Sequence, residues 1–538
     1  MITAILCSIA VGLLLHYFWE RRRRMKVFER LGIPGPSPNI LLGNQLDLAG
    51  GPSRAIAKWH QQYGDTFGYF EGTVAVLVTK DLDIIKQVYI KEFSKFTARK
   101  PFPIGPDPKS SKNVSVLFAH GHRWKRQRAM LSPTFSTGKL KQTQPLILLG
   151  IKNMMEVLEE KAKEGKGFNI MTIFQAMTLD VISSTAFGLD IDAQRNQDGQ
   201  MIKACRAVFA QQNTYNMPLV RKIFLTLSLI FPRLNQVFFG LWRRINDLGV
   251  IRSSPFWLGH TLRQVIKERR ESGKTDRRDF LQMLLDAEAV DDMINDNALT
   301  MTDEDGDAME SGARTKDNTK GVRLAKKITQ EEIVSNSIGF LLAGYETTST
   351  ALSYAAQELA SNPRIQGKLQ EEIDKVVGQE LPDHKHLAQM PYLDMVFNEV
   401  LRKNTIVPTF ITRQCQEAVQ VGDIAIPKGM TVQVHSLAIH ADPDLWGPTD
   451  PKEFDPERFS PENKATRHPL AFQAFGTGPR NCIGMRLALM EGKLALIAVL
   501  QKYTLQRCDE TEAVLEVFEQ GTLVPKNGVH VTLSSRLP

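Results

Sequence analysis

The chain has 538 residues, 42% hydrophobic and 23% charged, a globular composition that excludes intrinsic disorder. The length alone fixes no domain count. The net charge of +8 comes from 67 basic and 59 acidic residues; Arg21, Arg22, Arg23, Arg24, Lys26 and Arg30 supply six of the positive charges, so the excess is local and gives no reason to expect nucleic acid.

The five cysteines (Cys7, Cys205, Cys415, Cys482 and Cys508) are scattered without a C-x-x-C pair. That pattern predicts a reducing compartment and excludes a disulfide scaffold or a zinc ribbon. His120, His122, His384 and His386 sit among polar neighbours and read as surface residues, not ligands.

Residues 2–19 are apolar except at Thr3, Ser8 and His16. As a helix they would reach about 27 Å, close to the ~30 Å of a hydrocarbon core. Four arginines come directly after Glu20, which predicts that the rest of the chain stays cytosolic. A cleavable signal would carry its charge ahead of the apolar run and end in small residues. An uncleaved transmembrane anchor over residues 1–20 is the expectation. Residues 21–50 then form a basic, proline-rich hinge stiffened by Pro34, Pro36 and Pro38, and residues 51–538 a globular domain.

Within that domain, residues 52–63 read as a helix closed by Gly64. A hairpin comes next, 67–70 with 74–79, turning at Glu71 and Gly72. Asp81 caps a helix that carries Ile84, Ile85, Val88 and Tyr89 inward. Residues 100–112, with four prolines and Gly105, must be an irregular loop. Residues 119–131 form a helix dense in cations, with Trp124 and Arg128 at i,i+4 on one face. Lys125, Arg126, Lys139 and Lys141 lie on other faces, a basic patch able to steer an acidic partner.

Long helical patterns occupy residues 142–280. Within them 223–232 are strongly apolar but too short to span a bilayer, so core and membrane interface both stay open. Residues 286–320 are acidic and polar, a flexible surface insertion. Thr329 and Glu332 then form a capping box, opening a helix to about residue 361 that is apolar nearly all round and hence buried. Inside it, Gly344 weakens the helix and Thr347 can turn its hydroxyl to the carbonyl of Ala343 or Gly344. A groove of this kind, with Glu346 beside the hydroxyl, can relay protons.

Pro391 opens a helix that places Glu399 and Arg402 at i,i+3, with Arg458 downstream. Residues 404–413 take an extended path, and Ile406, Val407, Thr409, Phe410 and Ile411 would line a pocket. Strands are few: 419–421, 431–434 and 529–533. The loop at 475–484 holds three glycines and Pro479, then a helix from Met485. Cys482 therefore lies near a helix N-terminus, where a thiolate is favoured and is a soft ligand for iron. A lone cysteine is by default an inert small hydrophobe.

The pattern F-x-x-G-x-R-x-C-x-G, complete at Phe475, Gly478, Arg480, Cys482 and Gly484, resembles the haem-binding loop of the cytochrome P450 family. Three further signatures match: W-x-x-x-R at Trp124 and Arg128, A-G-x-[DE]-T-[TS] from Ala343 to Thr348, and E-x-x-R at Glu399 and Arg402 with Arg458. The resemblance implies a mainly α fold with small β-sheets behind an N-terminal transmembrane helix. It makes Cys482 the axial thiolate of a haem, Phe475 its shield, and Gly478 and Gly484 the room it needs. Trp124, Arg128, Arg413 and Arg480 would hold the propionates, Ala343 and Thr347 would face the oxygen side, and Thr347 and Glu346 would be catalytic. Glu399, Arg402 and Arg458 would be a structural triad.

Order and spacing look most like the microsomal family-three branch, with thromboxane synthase a more distant relative. Isomerase relatives lack the threonine that this chain keeps at Thr347. The implied reaction puts one atom of O2 into a lipophilic substrate (a xenobiotic, steroid or fatty-acid-like molecule). No flavin or nucleotide motif is present, so electrons would come from an NADPH-cytochrome reductase, with cytochrome b5 a second candidate. The implied location is the endoplasmic reticulum membrane, single-pass, with the catalytic domain cytosolic. The resemblance places 223–232 in a lid that meets the membrane interface. A haem-thiolate isomerase or dehydratase acting on a lipid peroxide, and a non-catalytic haem-binding protein, remain as alternatives. Pocket residues would come from 100–118, 207–232, 406–411 and 523–524, which do not name a substrate.

Overall fold

The computed structural model describes residues 1–101, 105–210, 217–248, 254–273, 279–288 and 327–536. The expected insertion at 286–320 lies outside the described residues apart from 286–288. Among the described residues helices dominate, with four small sheets, the expected fold class. The chain divides into two compact units. One comprises Met1–Ser110, Thr214–Ile251 and Pro408–Ala438; the other comprises Ser111–Asn213, Arg252–Val407 and Ile439–Pro538.

The first unit begins with the helix Ile2–Met25, whose apolar side chains are exposed from Ile2 to Leu15, while Met25 is buried. The helix continues past the apolar run into the arginine cluster. Arginine is a good helix former, and nothing before Met25 breaks the ladder. Nor is the basic cluster wholly solvated: Arg21 is buried. Its guanidinium donates to the carbonyls of Leu229 at 3.0 Å and Ile230 at 2.8 Å, and also to those of Ile40 and Leu41. Two of these carbonyls end the helix Leu219–Ile230, where unpaired acceptors and the negative end of the dipole favour a cation. That helix, which carries most of the apolar 223–232 segment, buries Leu229 and exposes Leu219 and Ile223.

The hairpin forms as expected, Thr66–Glu71 against Val74–Thr79, with Gly72 at positive φ in its turn. Val74–Thr79 also pairs in parallel with Thr431–Val434, which pairs antiparallel with Thr412–Gln414. Val76, Leu77 and Val78 are buried in succession, as suits a strand covered on both faces. Asp81 caps its helix through the N–H groups of Asp83 and Ile84 at 2.8 and 3.1 Å. The helix is shorter than expected, Leu82–Lys86, and widens into a π turn at Gln87–Lys91.

In the second unit the helix Gln330–Ser361 carries the expected capping box. Glu332 N–H donates to Thr329 Oγ1, and Thr329 N–H to Glu332 Oε2, each at 3.2 Å. It packs against Ile170–Phe187, a helix apolar enough to cross a membrane but 83% buried. A Cβ at Gly344 would lie 2.9 Å from Ile182 Cγ1. The glycine is thus there for close helix packing, and the helix runs on without interruption. The main core gathers Phe174, Met177, Leu352, Leu359, Leu494 and Val499. His530–Ser535 pairs with Tyr503–Gln506 and Phe168–Asn169, and Val517–Glu519 forms a hairpin with Leu523–Pro525.

Candidate active site

The loop at 475–484 is held by its own backbone. Cys482 N–H donates to Phe475 O at 2.8 Å, Asn481 N–H to Gly478 O at 3.0 Å, and Gly476 N–H to Gln473 O at 3.0 Å. Gly476 and Gly478 have φ of 69° and 72°, conformations that a side chain would strain. Gly484 is the N-cap of the helix Met485–Lys502, which puts Cys482 two residues before it. Phe475 is half-buried and packs against the main core, whereas Cys482 is exposed. A Cβ at Gly484 would meet only Phe135 Cε1, at 3.9 Å. Protein atoms therefore do not by themselves demand glycine at this position.

The helix Gly121–Leu131 reaches this loop through the residues its spacing had singled out. Arg128 donates to Asn481 O at 3.0 Å and to Asn481 Oδ1 at 2.9 Å. Burial pushes the Arg128 guanidinium down from its ordinary value, and the nearby Cys482 sulfur opposes that shift. Arg480 is buried, lies over the Trp124 ring at 5.0 Å, and donates to Val116 O and Ala119 O at 3.0 and 2.8 Å. Trp124, Arg128, Arg480 and Cys482 thus form one cluster. Arg413 belongs to the first unit, where it is buried on the strand Thr412–Gln414 with its guanidinium 4.6 Å from the Tyr89 ring.

Midway along the central helix, Ala343 is exposed and Thr347 half-buried, while nearly every residue from Tyr345 to Ala360 is buried. Thr347 Oγ1 donates to Ala343 O at 2.8 Å, as its position suggested. Glu346 does not share that face. Its carboxylate is 1% exposed and accepts from Gln520 Nε2 at 3.4 Å. Burial pushes the Glu346 carboxyl up to about 7, while Gln520 and Arg206 pull it back.

The triad residues are together and fully buried. Glu399 accepts from Arg402 Nε and Nη2 at 2.7 Å each and lies 3.3 Å from Arg458 Nε. The Asp455 N–H adds a donor at 3.1 Å. Both guanidiniums also bind backbone carbonyls: Arg402 those of His440 and Pro451, at 2.6 and 2.8 Å, and Arg458 those of Thr449 and Asp450, at 3.0 and 2.6 Å. His440, which no sequence pattern singled out, carries the link onward. Gln473 N–H donates to its Nε2 at 2.8 Å, just before the cysteine loop, and burial pushes its ring down to about 3.

One member of the expected basic patch is not on the surface. Arg126 is 1% exposed and binds Glu332 at 2.8 and 3.0 Å, with Arg123 beside it at 2.7 Å. Lys125 and Lys139 are half-buried and Lys141 exposed. Asn481, Arg206 and Gln520 were also missed. Each is an ordinary polar residue whose partner lies more than a hundred residues away, and periodicity carries no signal for such pairs.

Comparison with known proteins matches the cytochrome P450 family model over residues 33–309 and 307–533. The chain belongs to the cytochrome P450 family, and it is a haem-thiolate monooxygenase. It is 36% identical to cytochrome P450 3A5 of Homo sapiens over 533 residues, 98% of this chain and 96% of that protein. It is 36% identical to cytochrome P450 3A29 of Sus scrofa (95% and 92% covered). With the lithocholate 6-beta-hydroxylase of Mesocricetus auratus it shares 34% (98% and 96% covered). The second unit fits a haem: an exposed cysteine, guanidiniums suited to buried carboxylates, and a glycine that protein contacts leave unexplained.

Proposed function

We propose that Cys482 is the thiolate ligand of the haem and that the enzyme oxidises lipophilic, steroid-like substrates with electrons from an NADPH-dependent reductase. The observation that carries this reading is the cluster of Trp124, Arg128 and Arg480 around an exposed Cys482. The bound haem supplies the activation of O2. Around it, Arg128 and Arg480 neutralise the propionates while Trp124 packs beneath Arg480. Thr347 presents its hydroxyl beside the exposed Ala343 on the helix Gln330–Ser361, and Glu346 holds a proton near neutral pH that it can deliver. Arg413 takes its propionate role from its match to the family pattern alone. Ile2–Met25 would anchor the chain in the endoplasmic reticulum membrane with the rest cytosolic. The exposed Leu219 and Ile223 would touch the interface, and residues 286–320 would be an insertion in a single catalytic domain.

The test is spectroscopic and then kinetic. Reduced protein under carbon monoxide should show the red-shifted Soret band of a thiolate ligand, and Cys482→Ser should lose it. If the band survives in Cys482→Ser, the ligand assignment fails. Reconstitution with purified NADPH-cytochrome reductase should give substrate-dependent NADPH oxidation, with lithocholate a first substrate because one relative bears that name. A normal band without NADPH-coupled turnover of any lipophile would overturn the electron route. Thr347→Ala should keep the spectrum while product per NADPH falls, on the order of 10²-fold for loss of a proton-handling group, with hydrogen peroxide accumulating instead.

A further inference from the structure

We propose that Gln520 is a positioning residue for Glu346: from the turn between Val517–Glu519 and Leu523–Pro525, its side-chain amide stabilises the charged form of that buried carboxylate. The inference rests on the proposed role of Glu346 only for its consequence in turnover.

Glu346 is 1% exposed, on a face of the helix Gln330–Ser361 turned away from the exposed Ala343, and a buried carboxylate without donors is costly. Gln520 Nε2 approaches its Oε1 at 3.4 Å. The turn that carries Gln520 is tied down at several points. Leu523 N–H donates to Ile406 O at 2.7 Å, Tyr354 of the central helix donates from its hydroxyl to Leu523 O at 3.0 Å, and Gln520 N–H donates to Thr522 O at 2.9 Å. Gly521, at φ of 83°, lets the chain reverse there. The amide is therefore presented from a fixed backbone.

The other groups that face Glu346 are Tyr345 on its own helix and Cys205 and Arg206 on the helix Gln200–Ala210. Burial pushes the Cys205 thiol up to about 12 and the Tyr345 phenol further still. Both are neutral at physiological pH, which leaves Arg206 and the Gln520 amide to balance the cost of burial. Arg206 acts as a charge, whereas Gln520 gives the hydrogen bond. Gln520 is thus the residue whose replacement changes that balance without adding or removing a charge.

The test reads the carboxyl itself in the resting, haem-loaded protein. A pH titration by infrared difference spectroscopy follows the protonated carboxyl band, assigned by its loss in Glu346→Gln. Gln520→Leu should move the midpoint up by about one pH unit, the worth of one modest hydrogen bond to a charged group. Gln520→Lys should move it down. A general disturbance of the hairpin would not shift the midpoint in opposite directions. An unmoved midpoint, or a shift of the same sign in both variants, overturns the inference. If Gln520→Leu loses the thiolate spectrum, the nearly isosteric Gln520→Met takes its place with the same expected upward shift. The acid limb of NADPH-coupled product formation should follow the band. If the band shifts and the limb does not, the Gln520 inference stands and proton handling by Glu346 falls.

Discussion

Two glutamates, each almost fully buried in the same unit, have opposite surroundings. Glu399 meets two guanidiniums and a backbone N–H, with both Arg402 contacts at 2.7 Å. Glu346 meets an amide at 3.4 Å, with a cation felt only through space. Burial is common to both, so the partners decide. At Glu399 burial still pushes the carboxyl up from its ordinary value, but Arg402, the Asp455 N–H and Arg458 all oppose it, and a carboxylate bound on every side holds backbone together. One bound loosely sits where a proton can come and go at physiological pH. The first arrangement builds a scaffold and the second suits chemistry.

The largest expected effect comes from breaking the Glu399 site. Arg402→Ala strands Glu399 as a buried charge beside a partly used Arg458, at a cost of about 3–5 kcal/mol. Haem-loaded protein should fail to accumulate, or its melting temperature should fall steeply. Retention of wild-type stability would show that the pairing is dispensable.

Glu346→Gln should have an effect of opposite sign. The Glu346 carboxyl lies near 7 in the folded chain against 4.5 for its ordinary value, so between those pH values the folded state holds more proton than the unfolded one. Stability from this group therefore falls as pH rises from about 4.5 to about 7, by up to ~3 kcal/mol. Glu346→Gln removes the loss, so denaturation at pH 8 should show the variant gaining on the parent relative to pH 5. Glu399→Gln at pH 8 should lose stability. If both variants move the same way, the contrast between the two acids fails.

The smallest effect probes the turn that carries Glu346. Gly344→Ala gains up to about 1 kcal/mol of helix propensity, but its Cβ would sit 2.9 Å from Ile182, a clash worth ~1–3 kcal/mol. A net loss of about 1 kcal/mol is expected in chemical denaturation. In an Ile182→Ala background, with the obstruction removed, the substitution should cost less or stabilise.

Much of this was legible in local sequence. The capping box at Thr329 and Glu332, the Asp81 cap, the Glu71-Gly72 turn and the glycine-rich loop all depend on residues within a few positions of one another. The triad was legible only as an i,i+3 pair and a distant arginine. What separates it from an ordinary weak surface pair is burial, which periodicity does not reveal. Arg126 shows the reverse error: in a run of cations it read as solvated, yet it is closed off by Glu332, 206 residues along the chain.

Helix starts, tight turns, the apolar first helix and the thiol at Cys482 could all be read along the chain, because each rests on side-chain type and short-range backbone geometry. Long-range packing settled why Gly344 is a glycine, where Arg126 and Arg21 point, and the proton affinity of Glu346. A charge takes its energy from how much water it loses and what replaces that water. Here the replacements (Glu332 for Arg126, the Leu229 and Ile230 carbonyls for Arg21, Gln520 for Glu346) come from far along the chain.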